Sequence, residues 1–305
     1  MGLQHKDLIS INQLTKAEVE EILTLARKMR QQVERREKTE DLKDITVINL
    51  FYENSTRTRS SFELAAKYQG ASVLNISASS SSVAKGEGLK DTAQTLNAYN
   101  PDIIVMRHPN SGAHEILKQN VHASVLNAGD GMHEHPTQAL LDFMTITDYK
   151  KDLEGLKVVI VGDLSHSRVV RSNLLLLNMF GCDVTVCGPQ TLVPSGIEKL
   201  GCKRVMSFDE AIKDADVVMM LRIQLERQKA GLFPSTEEYR HFYCLDKKRL
   251  AMAKPDCIVL HPGPINRGIE IDGDVADCEQ SKILEQVTNG LCIRMALLKM
   301  MAEGE

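Results

Sequence analysis

Short apolar runs alternate along this chain with longer stretches in which apolar positions recur every three or four residues. The short runs are "ITVINLF" (45–51), "ASVLNIS" (71–77), "DIIVMRH" (102–108), "HASVLNA" (122–128), "LKVVIVG" (156–162), "CDVTVCG" (182–188), "ADVVMML" (215–221) and "CIVLHPG" (257–263). Most are continuous and rich in β-branched residues, the pattern of strands buried on both faces of a parallel sheet. Between them, "TKAEVEEILTLARKMRQQVERR" places Val19, Ile22, Leu23, Leu25, Ala26 and Met29 on one helical face, with Thr15 as a candidate N-cap. "NLLLLNMFG" reads as a helix stopped at Gly181. Strand and helix alternate over the whole length, which predicts an α/β fold of two doubly wound parallel-sheet domains of similar size. The charged stretch "DYKKDLEGLK" (148–157) separates two runs of strands. The predicted domains are therefore 1–149 and 150–284. Residues 285–305 are expected to form a C-terminal helix that crosses back to the first domain.

Composition sharpens this picture. Apolar residues are 43% of the 305 and charged residues 26%, with no tryptophan and few aromatics, so the cores should be aliphatic. The net charge of −4 gives no bulk attraction to nucleic acid or to an anionic membrane. No apolar run approaches the ~20 residues that span a bilayer. The N-terminus has no signal-peptide core, and Lys6 stands where myristoylation after Met-Gly requires Ser or Thr. The seven cysteines are odd in number and include no C-x-x-C, which predicts buried free thiols in a reducing cytoplasm.

Candidate chemistry gathers where strands turn into helices. "ENSTRTRSSFE" (53–63) follows the first strand run with hydroxyls, Arg57 and Arg59, and Ser55 is placed to cap a helix starting near Thr56. A helix N-terminus with arginines beside it holds anions well. A capped helix with solvated arginines fits the same spacing. In "VMRHP" (105–109), Arg107 stands at a strand's C-terminal end, where ligands of open α/β sheets collect; a surface salt bridge is the plainer role. "GMHEHPTQALLD" (131–142) offers His133-x-His135, but a third metal ligand at usual spacing is missing. His135 and Gln138 at a helix start suit a carbonyl group better, and a structural cap is the alternative. "VGDLSHSRVVRSN" (161–173) lacks G-x-G-x-x-G and instead opens its helix with Arg168 and Arg171, favouring a carboxylate or phosphate over a dinucleotide.

Arg222 and Gln224 in "MMLRIQLER" (219–227) alternate just past a strand, so both can point one way. "HPGPINRG" (261–268) is a rigid turn whose carbonyls can face a ligand, and "SASSSSVAKGEG" (77–88) is either a linker or a mobile loop carrying Lys85. P-loop, G-x-S-x-G and zinc-cysteine motifs are absent from the sequence, and no covalent nucleophile stands out. The recurrent theme is cationic and neutral donors at strand ends, suited to anionic reactants and to developing negative charge.

Taken together, "STRTR" (55–59), "MRHP" (106–109) and "HPTQ" (135–138) resemble the carbamoyl-phosphate motifs of the transcarbamoylase family in order and spacing, and the resemblance extends over nearly the whole chain. "SSVAKGE" (81–87), "RIQ" (222–224) and "HPGP" (261–264) are similar to the aspartate-using branch. The Ser-Met-Gly and His-Cys-Leu-Pro motifs of the ornithine-using branch do not appear. Where family members often carry His-Pro-Leu-Pro or His-Pro-Ala-Pro, this chain has Gly263, which implies a looser turn.

The resemblance implies a carbamoyl-phosphate-binding first domain and an aspartate-binding second domain. Ser55, Thr56, Arg57 and Thr58, with Arg107, would cradle the phosphate. Thr58, Arg107 and His135 would hold the carbonyl oxygen. Gln138 and the carbonyls of Gly263 and Pro264 would orient the carbamoyl amide. Arg168 would take the α-carboxylate of L-aspartate, and Arg222 and Gln224 its β-carboxylate. Ser82 (or Ser81 in the same run) and Lys85 would come from a neighbouring subunit, which implies a homotrimer with shared active sites. No metal or organic cofactor is implied. A regulatory chain or another pathway enzyme is left open as a partner. Two alternatives remain: transfer to another amine, and a non-catalytic anion-binding paralogue.

Overall fold

The computed structural model describes residues 2–77, 86–223 and 235–304. It divides into two compact units, Met1–Leu141 with Thr288–Glu305, and Asp142–Val287.

The first unit contains helix α1 (Lys16–Glu34), β1 (Thr46–Phe51), α2 (Thr56–Tyr68), β2 (Ser72–Ser77), α3 (Leu89–Asn97), β3 (Ile103–His108), α4 (Ala113–Lys118), β4 (Ser124–Asp130) and the first residues of α5 (Pro136–Tyr149), a helix whose later residues belong to the second unit. Thr15 caps α1 in a reciprocal capping box: Glu18 N donates to Thr15 Oγ1 at 3.2 Å and Thr15 N to Glu18 Oε2 at 2.9 Å. The four strands are parallel in the order β2-β1-β3-β4. On one face Ile48, Leu50, Ile104, Met106 and Val125 pack with Ala93 and Leu96 of α3 and Ala113 and Leu117 of α4. β1, β3 and β4 are buried along nearly their whole length, as unbroken apolar runs predict. β2 differs. It lies at a sheet edge with Leu74 46% exposed, whereas β4 at the opposite edge is buried and has the chain at Leu8 bridged to Leu126 beside it.

The second unit contains β5 (Lys157–Val161), α6 (Arg168–Met179), β6 (Asp183–Cys187), β7 (Lys203–Val205), α7 (Phe208–Ile212), β8 (Val217–Met220), α8 (Thr236–Tyr243), α9 (Lys247–Leu250), β9 (Ile258–Leu260) and α10 (Gly273–Ala276). Its sheet is parallel in the order β7-β6-β5-β8-β9. The core joins Val159, Val161, Val218, Met220 and Val259 to Phe208, Ile212, Leu250 and Val275. The apolar pattern misses β7, which is three residues long and carries Lys203 and Arg204.

The last helix, α11 (Ile283–Glu303), packs against the first unit through its C-terminal part, as expected from the sequence. Arg294 Nη1 donates to Ser61 Oγ at 2.9 Å and its guanidinium lies 5.0 Å from the Phe62 ring centre. Gln69 Nε2 donates to Met295 O at 3.1 Å, and Lys299 pairs with Asp41 at 2.6 Å. All seven cysteines are free thiols, and all except Cys278 are buried. Burial pushes the thiols of Cys187, Cys244, Cys257 and Cys292 up to about 12. Among the described residues no helix is long and apolar enough to cross a membrane.

Candidate active site

In the first unit the chain moves from β1 outward to β2, and from β3 the opposite way to β4. That reversal opens a crevice beyond the carboxyl ends of β1 and β3. Both arms of the candidate site emerge there. Phe51 at the end of β1 is in register with Arg107 of β3, and Tyr52 N donates to Arg107 O at 2.9 Å. The next residues rise into α2. Arg107 Nη1 consequently reaches Ser55 Oγ at 3.2 Å and Thr58 Oγ1 at 3.4 Å, while its Nε donates to Glu53 Oε2 at 2.9 Å. Ser55 occupies the N-cap position with extended backbone, φ −153° and ψ 94°, yet its side chain caps no helix amide. The expected hydroxyl cap is replaced by the bond from Arg107. Ser55 makes no side-chain cap and the first turn of α2 itself holds no acidic residue, which favours an anion at the positive end of the dipole. Thr56 and Arg57 lie in that turn and are exposed.

β4 runs beside β3, so the turn that follows it opens at the same edge. Gly131 N donates to His108 O at 2.9 Å. Pro136 starts α5, where its missing N–H costs nothing. His135 and Gln138 flank that start and are buried, at 4% and 8% exposure. The turn is pinned from both ends. Asp130 N donates to Glu134 O at 2.9 Å, and Glu134 Oε2 accepts from Ile11 N at 3.0 Å, with Ser10 Oγ on the other carboxylate oxygen. Asp130 accepts from Gly112 N at 2.9 Å and contacts His133 Nδ1 at 2.9 Å and His114 Nδ1 at 3.4 Å. Burial alone would raise the Asp130 pKa, but His114 and His133 beside the carboxylate, with the bond from Gly112 N, together hold it well below the usual carboxylate range. The two histidines of the His-x-His motif thus separate: His133 is half-exposed on Asp130, while His135 is buried.

In the second unit the order of strands reverses between β5 and β8, which again marks the carboxyl ends of two strands. Gly162 follows β5 at φ 135°, and a Cβ there would lie 2.9 Å from Leu221 Cβ and 3.1 Å from Leu221 O. Only glycine lets the two strand ends approach so closely. Asp163 Oδ1 then accepts from His166 N at 3.1 Å, and α6 opens with Arg168, 4% exposed. Arg171 on the same helix is exposed, so of the two arginines only Arg168 is set inward. Arg222 stands two residues past β8 and is half-buried. The Gly263–Pro264 bond is cis, and Gly263 has φ 64°. At this turn Gly263 N donates to His261 Nδ1 at 2.8 Å, and His261 N to Gln286 Oε1 at 2.9 Å.

The structure brings Ser55, Thr58 and Arg107 into direct contact, and sets His135 with Gln138, and Arg168 with Arg222, at strand ends of their own units. Ser82, the alternative Ser81, Lys85 and Gln224 lie outside the described residues. The motif reading missed the carboxylates and amides behind the motifs: Glu53 on Arg107, Glu134 beside His135, and Asn266 and Glu270 behind the turn at 261–264. Glu53 and Glu134 stand one or two positions before a motif residue, the single local hint of such a role.

Two α/β units, each with a parallel sheet and with arginines placed beyond the strand ends where that sheet reverses, define a protein built to hold anionic reactants by preorganised charge. Residues 6–148 match the family model for the aspartate/ornithine carbamoyltransferase carbamoyl-P binding domain, and residues 154–301 match that for the Asp/Orn binding domain. The chain belongs to the aspartate/ornithine carbamoyltransferase family. It is 58% identical over 299 residues to the aspartate carbamoyltransferase catalytic subunit of Ruminiclostridium cellulolyticum, covering 98% of this chain and 96% of that protein. A crystal structure of aspartate transcarbamoylase from Trypanosoma cruzi with carbamoyl phosphate and aspartate superposes with a TM-score of 0.90 at 33% identity, covering 98% and 97% of the two chains. Ornithine carbamoyltransferase from Pyrococcus furiosus superposes at 0.88 with 29% identity, covering 100% and 99%.

Proposed function

We infer that this chain transfers the carbamoyl group of carbamoyl phosphate to the amine of L-aspartate, giving N-carbamoyl-L-aspartate and phosphate. The observation that carries the reading is Arg107 bridging Ser55 and Thr58 over the uncapped start of α2. The relatives named aspartate carbamoyltransferase and the Trypanosoma cruzi complex with both substrates support it.

Ser55, Thr56, Arg57 and Thr58 hold the phosphate with Arg107. Thr58, Arg107 and His135 donate to the carbonyl oxygen, while Gln138 and the carbonyls of Gly263 and Pro264 orient the carbamoyl amide. The amine attacks the carbonyl carbon, and the oxygen gains negative charge in the tetrahedral intermediate. Each donor already aimed at that oxygen lowers the barrier by about 2.7–4 kcal/mol in comparable sites. The departing phosphate takes the amine proton. Arg168 binds the α-carboxylate of aspartate, and Arg222 and Gln224 the β-carboxylate. An arginine at that position also opposes a cationic side chain such as that of ornithine.

Ser82 and Lys85 reach the site of a neighbouring subunit in a homotrimer. The exposed apolar residues Leu64 of α2 and Leu74 of β2 support such an assembly, since an uncovered apolar edge favours a partner surface. The reaction serves pyrimidine biosynthesis in the cytoplasm. The naming of relatives as catalytic subunits supports a separate regulatory partner.

The test is direct: purified chain, carbamoyl phosphate and aspartate, with N-carbamoyl-aspartate and phosphate measured together. No product overturns the reading. Product formed faster from ornithine or putrescine moves the chain to another amine.

A further inference from the structure

Arg222 reaches its place only if the chain leaving β8 is held. The β5–β8 ladder ends with Leu221 N donating to Val161 O at 2.8 Å. The next anchor comes from elsewhere: Asn266 Nδ2 donates to Ile223 O at 3.3 Å. Ile223 is wholly buried. Asn266 N in turn donates to Glu270 Oε1 at 2.5 Å, and the same oxygen contacts His261 Nε2 at 3.2 Å. Because Gly263 N donates to His261 Nδ1, that nitrogen is an acceptor, and the ring proton sits on Nε2 facing Glu270. The side chains of His261 and Glu270 are fully enclosed. The turn is fastened again from behind, where Gln286 accepts from His261 N and donates to Asp142 Oδ1 at 2.7 Å.

One carboxylate oxygen therefore gathers the turn bearing Gly263 and Pro264, and one side-chain amide links that turn to the backbone bearing Arg222. A buried acid and imidazole are costly to enclose, and well-packed apolar residues would stabilise two loops at least as well. What the polar pair adds is direction: each bond fixes one atom of a particular loop. We propose that Asn266 and Glu270 are positioning residues for substrate selection. Glu270 sets the Gly263–Pro264 turn through His261 and Asn266, and Asn266 sets the reach of Arg222 toward the second carboxylate. The inference rests on the reading of Arg222 as the partner of that carboxylate.

Steady-state kinetics of Asn266→Ala, Asn266→Asp and Glu270→Gln in the full chain tests it. The probe is succinate, which has both carboxylates of aspartate and no amine. Asn266→Ala is expected to raise the KM for aspartate and the Ki of succinate together by about tenfold, the loss of one positioned hydrogen bond. The KM for carbamoyl phosphate should stay unchanged. Asn266→Asp, which sets an acceptor against Ile223 O, should exceed that effect. Glu270→Gln keeps an acceptor oxygen for both donors and should stay near wild type, whereas Glu270→Ala should raise the KM of both substrates. Asn266 is only half-buried, so its variants decide the matter even if Glu270→Ala does not fold. A fall in kcat with aspartate KM unchanged, or an equal rise for both substrates in Asn266→Ala, overturns the proposal. A wild-type chain that forms no N-carbamoyl-aspartate sinks the underlying reading instead. Wild-type turnover with unaltered Asn266→Ala kinetics sinks this inference alone.

Discussion

Arg107 contacts two hydroxyls and a carboxylate at once, the hydroxyls through Nη1 and the carboxylate through Nε. Glu53 fixes the Nε edge, which leaves Nη1 directed at α2, the geometry that suits a planar fork binding an oxyanion. Arg57 differs from it in being exposed at the first turn of α2. Arg57→Ala should therefore lower turnover by about 10²–10³-fold, the scale of losing one charge-stabilising group. Its far-UV circular dichroism and melting curve should match wild type, and near-normal turnover would remove Arg57 from the phosphate role. Asp130 carries a pH signature. Its carboxyl is held below the ordinary range in the folded chain, so its contribution to stability is complete above the unfolded value near ~3.9 and is lost as pH falls below it. Denaturant titrations of wild type and Asp130→Asn should show a stability gap that narrows as the pH falls through that acid range. A gap that stays constant there would deny the pairing with His114 and His133.

At the scale of elements, the start of α5 depends on a segment more than a hundred residues earlier. The backbone around Ser10 and Ile11 meets the Glu134 carboxylate, and Leu8 extends beside β4, with Leu8 N donating to Val125 O at 3.0 Å and Asn127 N to Leu8 O at 3.0 Å. The N-terminal segment is thus a brace for the turn that presents His135. Glu134→Ala leaves the buried N–H of Ile11 without its acceptor, which costs about 1–3 kcal/mol. The expected outcome is a lower melting temperature of the first unit together with a reduced kcat, read by calorimetry and by product formation on the same preparation. An unchanged melting curve would contradict the brace. β7 and β2 show what an apolar pattern conveys at this scale. A central strand such as β1 is recognisable because both faces are buried. An edge strand of three residues with two charges has no such requirement, and β2 keeps an apolar run although much of it is exposed.

For the whole molecule, the shared-site reading makes a prediction that a single chain cannot satisfy. Lys85→Ala and Arg57→Ala chains, each weak alone, should regain activity when mixed, dissociated and reassembled, because some sites in a hybrid trimer receive both intact residues. Sedimentation should give a mass of three times the 34.0 kDa chain. Mixtures that recover nothing would argue for sites completed within one chain. The sequence by itself determined the alternation of strands and helices, the aliphatic cores and the positions of Ser55, Arg107, His135 and Arg168. Those follow from local periodicity and from residue types whose chemistry is fixed by their side chains. It did not reveal that Ser55 gives its hydroxyl to Arg107, that Glu134 answers to Ile11, or that Asn266 holds the carbonyl of Ile223. Each of those bonds joins segments that are distant in sequence. A carboxylate or an amide acquires such a partner only when the parallel sheets have set their strand ends side by side.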